Sequence, residues 1–380
     1  MSVSRVTSRN LRPGMVLAVC MAIGLSACAG RPGPETLAPI SDAKFKPVKV
    51  ETLYAVTTRD RAEPGKNVFT AGKARTVNYA SFDVSIPASH KPSNIEWPKG
   101  SKVDPSTDFA VIDQSVMQRE QLLDAVARRT GKSSIPTVFV HGYNYNFQEA
   151  LYRLAQLKTD SDIDGSPIVF SWPSHAAIPA YVADKESATY SRDALAQLLV
   201  DLTARTKGTD VEVFAHSMGG WLTVEALRQL KLQGRSDVLN RLRVILAAPD
   251  IDADVFVSQL DVIGPMRRPI TILVSPDDRA LKVSSILGAG SQRVGAVDVN
   301  DPKVADAAKT AGVNVIDISS LESLDATNHN RYVEAVALAK TLGKPTANAG
   351  LGDAGAFIFD AAAQTISSPF SLAATVLRGN

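Results

Sequence analysis

From about residue 50 onward the chain repeats one alternation: a short, unbroken apolar run, then a longer stretch with helical spacing. Strand-like stretches built on such runs fall at 135–140, 167–171, in "DVEVFAHS", and at 243–250, 270–278 and 313–319. Between them, Leu151, Leu154 and Ala155 share one helical face, as do Leu195, Leu198, Leu199 and Leu202. Trp221 to Leu230 and the Ala-rich Tyr332 to Leu342 are further helical stretches. Strands without polar alternation are buried on both faces, and the intervening helices supply the covers. The expected class is therefore α/β, a mostly parallel central sheet with helices on both faces and right-handed crossovers. Two β-rich stretches, "TLYAVTTR" (52–59) and "TVNYASFDVSI" (76–86), precede this pattern as early strands.

Composition removes several function classes. With 380 residues, 45% of them hydrophobic, the chain can bury a large core. A net charge of +2 gives no basic footprint for nucleic acid, so no nucleic-acid partner is expected. Cys20 and Cys28 are the only cysteines, too few for a zinc ribbon or a disulfide scaffold. No two histidines have ligand spacing on one helix, so neither a metal nor another cofactor is expected.

Both cysteines lie in a segment that reads as a targeting signal. Arg5, Arg9 and Arg12 precede the apolar run Met15 to Leu25, which is short for a membrane span of about 20 residues. Leu25-Ser26-Ala27-Cys28 then resembles the bacterial lipobox, in which the cysteine is lipidated and becomes the new N-terminus. An ordinary signal peptide, cut after a small residue, is the plainer alternative. The expected organisation is a lipoprotein signal peptide over 1–27, lipidation at Cys28 and a Pro-rich tether over 28–47. A folded body over 48–344 and a Gly-, Ala- and Ser-rich appendage over 345–380 complete it. Ala29 follows the cysteine, and in the lipoproteins that this segment resembles a non-acidic residue there goes with outer-membrane sorting. The expected location is thus a lipid anchor in the bacterial envelope, at the outer membrane facing the periplasm.

In open parallel sheets, chemistry gathers at the carboxyl ends of the strands. The stretch "VEVFAHSMGG" puts Ser217 at such an end, with small residues at Ala215, Gly219 and Gly220. This is either an ordinary strand-to-helix turn or a strained corner that presents a nucleophile. A nucleophilic serine needs a general base. Of the five histidines, His90 sits in a polar loop and reads as solvated, and His216 should point away from Ser217. His141 shapes the "HGYN" turn, and His175 is a candidate to line a pocket. His329 follows the last strand, where a base is expected. Acid candidates after strands are Asp250, Asp252, Asp277 and Asp278. The order Ser217, Asp278, His329 is that of α/β-hydrolases. Oxyanion donors are expected from the backbone of Met218 and from the loop after the 135–140 run, at Tyr143.

The stretches "YAVTTRDR", "VFVHGYN", "FSWPS", "FAHSMGG", "AAPDIDADVF", "SPDDRALKVSS" and "NHNRYV" together resemble a family of uncharacterised bacterial α/β-hydrolases, grouped with esterases and lipases. The resemblance spans about residues 50 to 342 and implies the α/β-hydrolase fold, Ser217 as nucleophile and, by position, Asp278 and His329 as its partners. It leaves open whether Asp250 or Asp277 replaces Asp278. The leading expectation is a serine hydrolase of the carboxylesterase or lipase type, cleaving a small-molecule or lipid ester through an acyl-enzyme. The alternative is an idle lipoprotein that uses the fold as a binding module. Tyr143, Tyr145, Phe147, Trp172, Tyr181 and Trp221 are candidates for an acyl pocket or for core.

Overall fold

The computed structural model describes residues 31–40, 45–98, 103–131, 134–161, 165–206 and 208–341. The signal segment with Cys28 and the 345–380 appendage lie outside these residues. Among the described residues, nine strands form one sheet in the order β3-β2-β1-β5-β4-β6-β7-β8-β9. The strands are β1 (Lys49–Arg61), β2 (Phe69–Ile86), β3 (Ala110–Met117), β4 (Ile135–Val140) and β5 (Gly165–Ser171). They continue with β6 (Val211–His216), β7 (Leu242–Ala247), β8 (Thr271–Val274) and β9 (Asn314–Asp317). β1, β2 and β3 form an antiparallel meander, and every pairing from β1 through β5, β4, β6, β7 and β8 to β9 is parallel.

The central strands are mostly apolar because both of their faces are covered, with Thr137, Glu212 and Arg243 as buried exceptions. Along β4, Val138 and Val140 point into one core and Phe139 into the other. Along β6, Val213 and Ala215 oppose Phe214 in the same way, as the two-residue period of a strand requires. The first core is closed by α1 (Arg119–Arg129), α4 (Arg192–Arg205), α5 (Met218–Leu232) and α6 (Ala253–Ile263), with α3 (Tyr181–Tyr190) beside them. The second is closed by α2 (Phe147–Ser161) and α9 (Tyr332–Thr341). Removing a side chain such as Phe214, 2% exposed between the sheet and Tyr332, would cost about 3–5 kcal/mol. Two further helices, α7 (Arg279–Leu287) and α8 (Pro302–Ala311), follow β8.

Three expectations change. The early region has three strands rather than two, β3 forming the sheet edge. Part of the expected free tether is packed: Leu37 is 1% exposed in the second core. Thr36 O accepts from Tyr152 Oη at 2.6 Å, and the Ile40 N–H donates to Val111 O at 3.0 Å. An apolar side chain and satisfied backbone groups hold this short stretch where a Pro-rich composition suggested a solvated leash. His90 is not solvated either. Its side chain is 9% exposed, with Nδ1 at 2.7 Å from Glu96 and Nε2 at 2.9 Å from Asp160.

Candidate active site

The chain passes from β4 outward to β5 and then returns to β6 on the other side of β4. This reversal opens a crevice at the carboxyl ends of β4 and β6. Ser217 stands there, one residue past β6, with φ 55° and ψ −122°. Such a backbone costs about 1–3 kcal/mol and persists only where its surroundings impose it. Here the Ser217 N–H donates to Ala247 O at 2.9 Å, while its carbonyl accepts from Gly220 N (2.9 Å) and Asp250 N (3.2 Å). The small neighbours have direct physical reasons. A Cβ on Gly219 would lie 2.5 Å from His141 O, and one on Gly220 would lie 3.0 Å from Pro249 Cβ. A Cβ on Gly142 would meet Ser217 Cβ at 3.0 Å.

Strain recurs around this crevice. Asn144, Ala176, Ser217, Ala248 and Asn328 all have positive φ, and each lies beyond the carboxyl end of a different parallel strand.

Asp278 is fully buried and caps α7, its Oδ1 accepting from the Leu281 N–H at 2.9 Å. Its Oδ2 lies 2.6 Å from His329 Nδ1. The His329 ring packs against that of His216, with centroids 4.6 Å apart, and His216 Nε2 donates to His329 O at 3.3 Å. His329 thus sits against the residue that precedes Ser217. Burial pulls the His329 pKa down, but the hydrogen bond and charge of Asp278, aided by Asp250 and Asp325, outweigh it and leave the value raised. Burial, followed by the charge of His329, holds His216 well below the ordinary range, so it stays neutral.

The other acid candidates have separate partners. Asp277 is gripped by Arg331, with Nη2 to Oδ2 at 2.8 Å and a second contact from Nη1 to Oδ1. This bond to Arg331 is the main reason that its pKa is lowered to about 2. Asp250 accepts from Tyr181 Oη at 2.8 Å and from Ser284 Oγ, with Arg293 Nε at 3.3 Å. Asp252 caps α6 through the N–H groups of Asp254 and Val255. The structure therefore joins His329 to Asp278 and gives Asp250, Asp252 and Asp277 other work.

Met218 is the first residue of α5, where a backbone N–H has no helical acceptor and the helix dipole favours negative charge. Tyr143 lies in the loop after β4, its hydroxyl donating to Ala177 O (3.2 Å) and to Ile178 O, its ring edge-on to Tyr181 at 5.4 Å. His141 is fully buried, its ring stacked on Trp172 at 4.9 Å. Burial, then the charge of Arg59, lowers its pKa to about 3. His175 is more exposed and meets Asp184 at 2.7 Å. Of the aromatic candidates, Phe147 and Trp172 are core, whereas Tyr143, Tyr145, Tyr181 and Trp221 are partly exposed.

The family profile described as "alpha/beta hydrolase of unknown function (DUF900)" matches residues 95–344. The chain belongs to this α/β-hydrolase family. An uncharacterized protein of Nostoc sp. is 27% identical to this α/β-hydrolase over 231 residues, 51% of this chain and 56% of that protein. The hydrolase thus spans little more than half the length of that curated relative. A Rhizomucor miehei esterase is similar at 12% identity and a TM-score of 0.32, covering 88% of this chain and 91% of its own. A Pyrobaculum calidifontis esterase is similar at 12% identity and a TM-score of 0.32, covering 77% and 85%.

Sequence reasoning missed three residues of this hydrolase's site. Asp325 accepts from the N–H groups of Thr327 (2.7 Å), His329 (3.3 Å) and Asn330 (2.7 Å), and so shapes the turn that carries His329. Arg331 fastens that turn to Asp277. Arg59 supports the loop after β4. Only the "DATNHN" composition, turn-rich and led by an aspartate, hinted at the first. Among the described residues no group of three His, Cys, Asp or Glu side chains is placed to hold a metal ion, and no helix is long and apolar enough to cross a membrane.

Proposed function

We propose that this α/β-hydrolase is a serine hydrolase of the carboxylesterase or lipase type, cleaving an ester through an acyl-enzyme on Ser217. The observation that carries the reading is the 2.6 Å contact of His329 Nδ1 with buried Asp278, held ring to ring against the elbow of Ser217. In the proposed reaction His329 takes the Ser217 hydroxyl proton as Oγ attacks the ester carbonyl. Asp278 keeps the proton of Nδ1 in place and stabilises the imidazolium that forms. The N–H groups of Met218 and Tyr143 receive the oxyanion. The alcohol departs with the proton from His329, and water, activated by the same imidazole, releases the acid.

We also propose that Cys28 carries a lipid that anchors the hydrolase at the outer membrane facing the periplasm; the "LSAC" stretch supports this.

The test is labelling with a fluorophosphonate, followed by kinetics. Ser217 is expected to be the labelled residue, and Ser217→Ala to remove both labelling and turnover. Full activity in Ser217→Ala, or a label on another serine, rejects the reading.

A further inference from the structure

Arg59, in β1, is 2% exposed, yet it forms no hydrogen bond with a carboxylate among the described residues. It donates from Nε to Ser171 Oγ (2.9 Å), from Nη1 to Ser174 O (3.0 Å) and from Nη2 to Tyr145 O (2.8 Å). Burial pulls its pKa down to about 9, with the charges of Asp184 and Glu149 opposing. A buried charge is expensive, and an apolar residue would fill the same space more stably. The donors of Arg59 therefore need a purpose.

Their geometry supplies one. His141 Nδ1 lies 2.8 Å from Gly142 O, and its Nε2 lies 3.2 Å from Ser171 Oγ. A carbonyl only accepts, so Nδ1 carries the proton and Nε2, in a neutral ring, must accept. Ser171 then donates its hydroxyl to His141, and it can do so because its oxygen receives the Arg59 Nε–H. The hydrogen bonds run one way: Arg59 to Ser171, Ser171 to His141, His141 to the carbonyl of Gly142. That carbonyl shares a peptide plane with the Tyr143 N–H, and the plane is trans, so the two groups point in opposite directions.

We propose that Arg59, Ser171 and His141 form a positioning relay that fixes the Gly142–Tyr143 peptide and so aims the Tyr143 N–H at the oxyanion. This rests on the reading of Tyr143 as an oxyanion donor. Arg59 secures the loop at its far end too, through Tyr145 O. Trp172 reinforces the alignment by stacking on the imidazole and donating to His141 O at 2.8 Å. An oxyanion donor is effective only when oriented before the reaction. The relay provides that orientation without touching substrate.

Two measurements test it. In the full chain labelled with 15N-histidine, the imidazole nitrogens report the tautomer directly. His141 is expected as the Nδ1–H form, and an Nε2–H form overturns the relay. The second compares His141→Asn with His141→Gln, using p-nitrophenyl butyrate as the ester probe. Asparagine places an amide N–H near the position of Nδ1, whereas glutamine places it near Nε2. His141→Asn is expected to stay within about tenfold of the parent kcat. His141→Gln and Ser171→Ala should lose about 100-fold or more, near the scale of a lost oxyanion donor, with KM scarcely moved. If histidine merely fills the space between Trp172 and Tyr145, the larger glutamine should serve better. Equal losses, or a greater loss in His141→Asn, overturn the relay. Ser217→Ala separates the two levels: turnover that persists there rejects the nucleophile and the relay with it. Turnover abolished there, with the Asn and Gln variants alike, rejects the relay alone.

Discussion

Arg331 holds Asp277, the neighbour of Asp278, and thereby fastens the turn of His329 to the strand end that faces it. The guanidinium spans both carboxylate oxygens, and Asn328 Nδ2 adds a bond to Oδ2 at 2.8 Å. Two adjacent aspartates thus have different tasks: one braces a loop, the other meets the imidazole.

That division predicts unequal variants. Asp278→Asn should cost about 10⁴ in kcat, the scale seen when the orienting acid of a triad is neutralised. Asp277→Asn should act mainly on stability, by about 1 kcal/mol, because the carboxylate is half-exposed and screened by solvent, although Arg331 is buried. Its kcat should fall by less than about tenfold. Urea titrations and steady-state rates of the two variants decide; a greater kcat loss in Asp277→Asn would reverse the assignment.

The raised pKa of His329 predicts a pH profile. In the proposed mechanism only the neutral imidazole accepts the Ser217 proton, so kcat/KM should climb through one ionisation lying above the ordinary histidine value of about 6.5. The charges acting on it are Asp278, Asp250 and Asp325; His216, ring to ring with it, stays neutral. Because the folded pKa is raised, protonated His329 adds stability that is complete below its unfolded pKa and lost as pH passes its folded value. Activity and this share of stability should therefore run in opposite directions. A profile midpoint below the ordinary histidine value counts against His329 as base.

His90 makes a second pH prediction, remote from the chemistry. Burial lowers its pKa, and hydrogen bonds to Asp160 and Glu96 raise it further than burial lowers it. Only the protonated ring donates from both nitrogens to both carboxylates. His90→Gln should lose about 1.5–3 kcal/mol at pH 6 and less as pH rises through the folded pKa. Denaturation series at pH 6 and pH 9 measure the difference, and a pH-independent loss would refute the double donation.

Gly219→Ala should be among the most damaging one-carbon changes in the chain. The added methyl meets the carbonyls of Val140 and His141, both backbone, which cannot swing aside. A loss of about 1–3 kcal/mol or more is expected, and the loop after β4 should be displaced from Ser217. Melting temperature and the fluorophosphonate labelling rate should both fall; a variant labelled at the parent rate would remove the tight contact as an explanation for this glycine.

Cys28→Ser should leave the precursor unprocessed and free of labelled fatty acid. Incorporation that persists would place the lipid elsewhere or dismiss it.

The parallel part of the sheet was legible because β4, β6 and β7 are buried on both faces and carry apolar residues at most positions, without a polar alternation. Edge strand β3 was not: Asp113, Gln114 and Ser115 interrupt it, and the pattern resembles a loop until Tyr79 to Ser85 are seen pairing with it. At the candidate site, Ser217, Asp278 and His329 could be proposed because each follows a strand, a local property. Asp325 has only near partners, Thr327 to Asn330, and its turn could have been read locally. Arg59 and Arg331 could not, since their meaning lies in partners such as Ser171 and Asp277, many residues distant. His90 failed for the same reason: Asp160, which buries it, is 70 positions away.

The packing of Thr36, Leu37 and Ile40 against the body has a mechanical consequence. On the reading that Cys28 bears a lipid, only the five residues 29–33 remain between the anchor and the first packed turn. Fully extended, they reach about 18 Å, at some 3.6 Å each. Such a hydrolase could not range across the periplasm in search of distant esters. The point at which the chain enters the folded body would stay within that reach of the lipid.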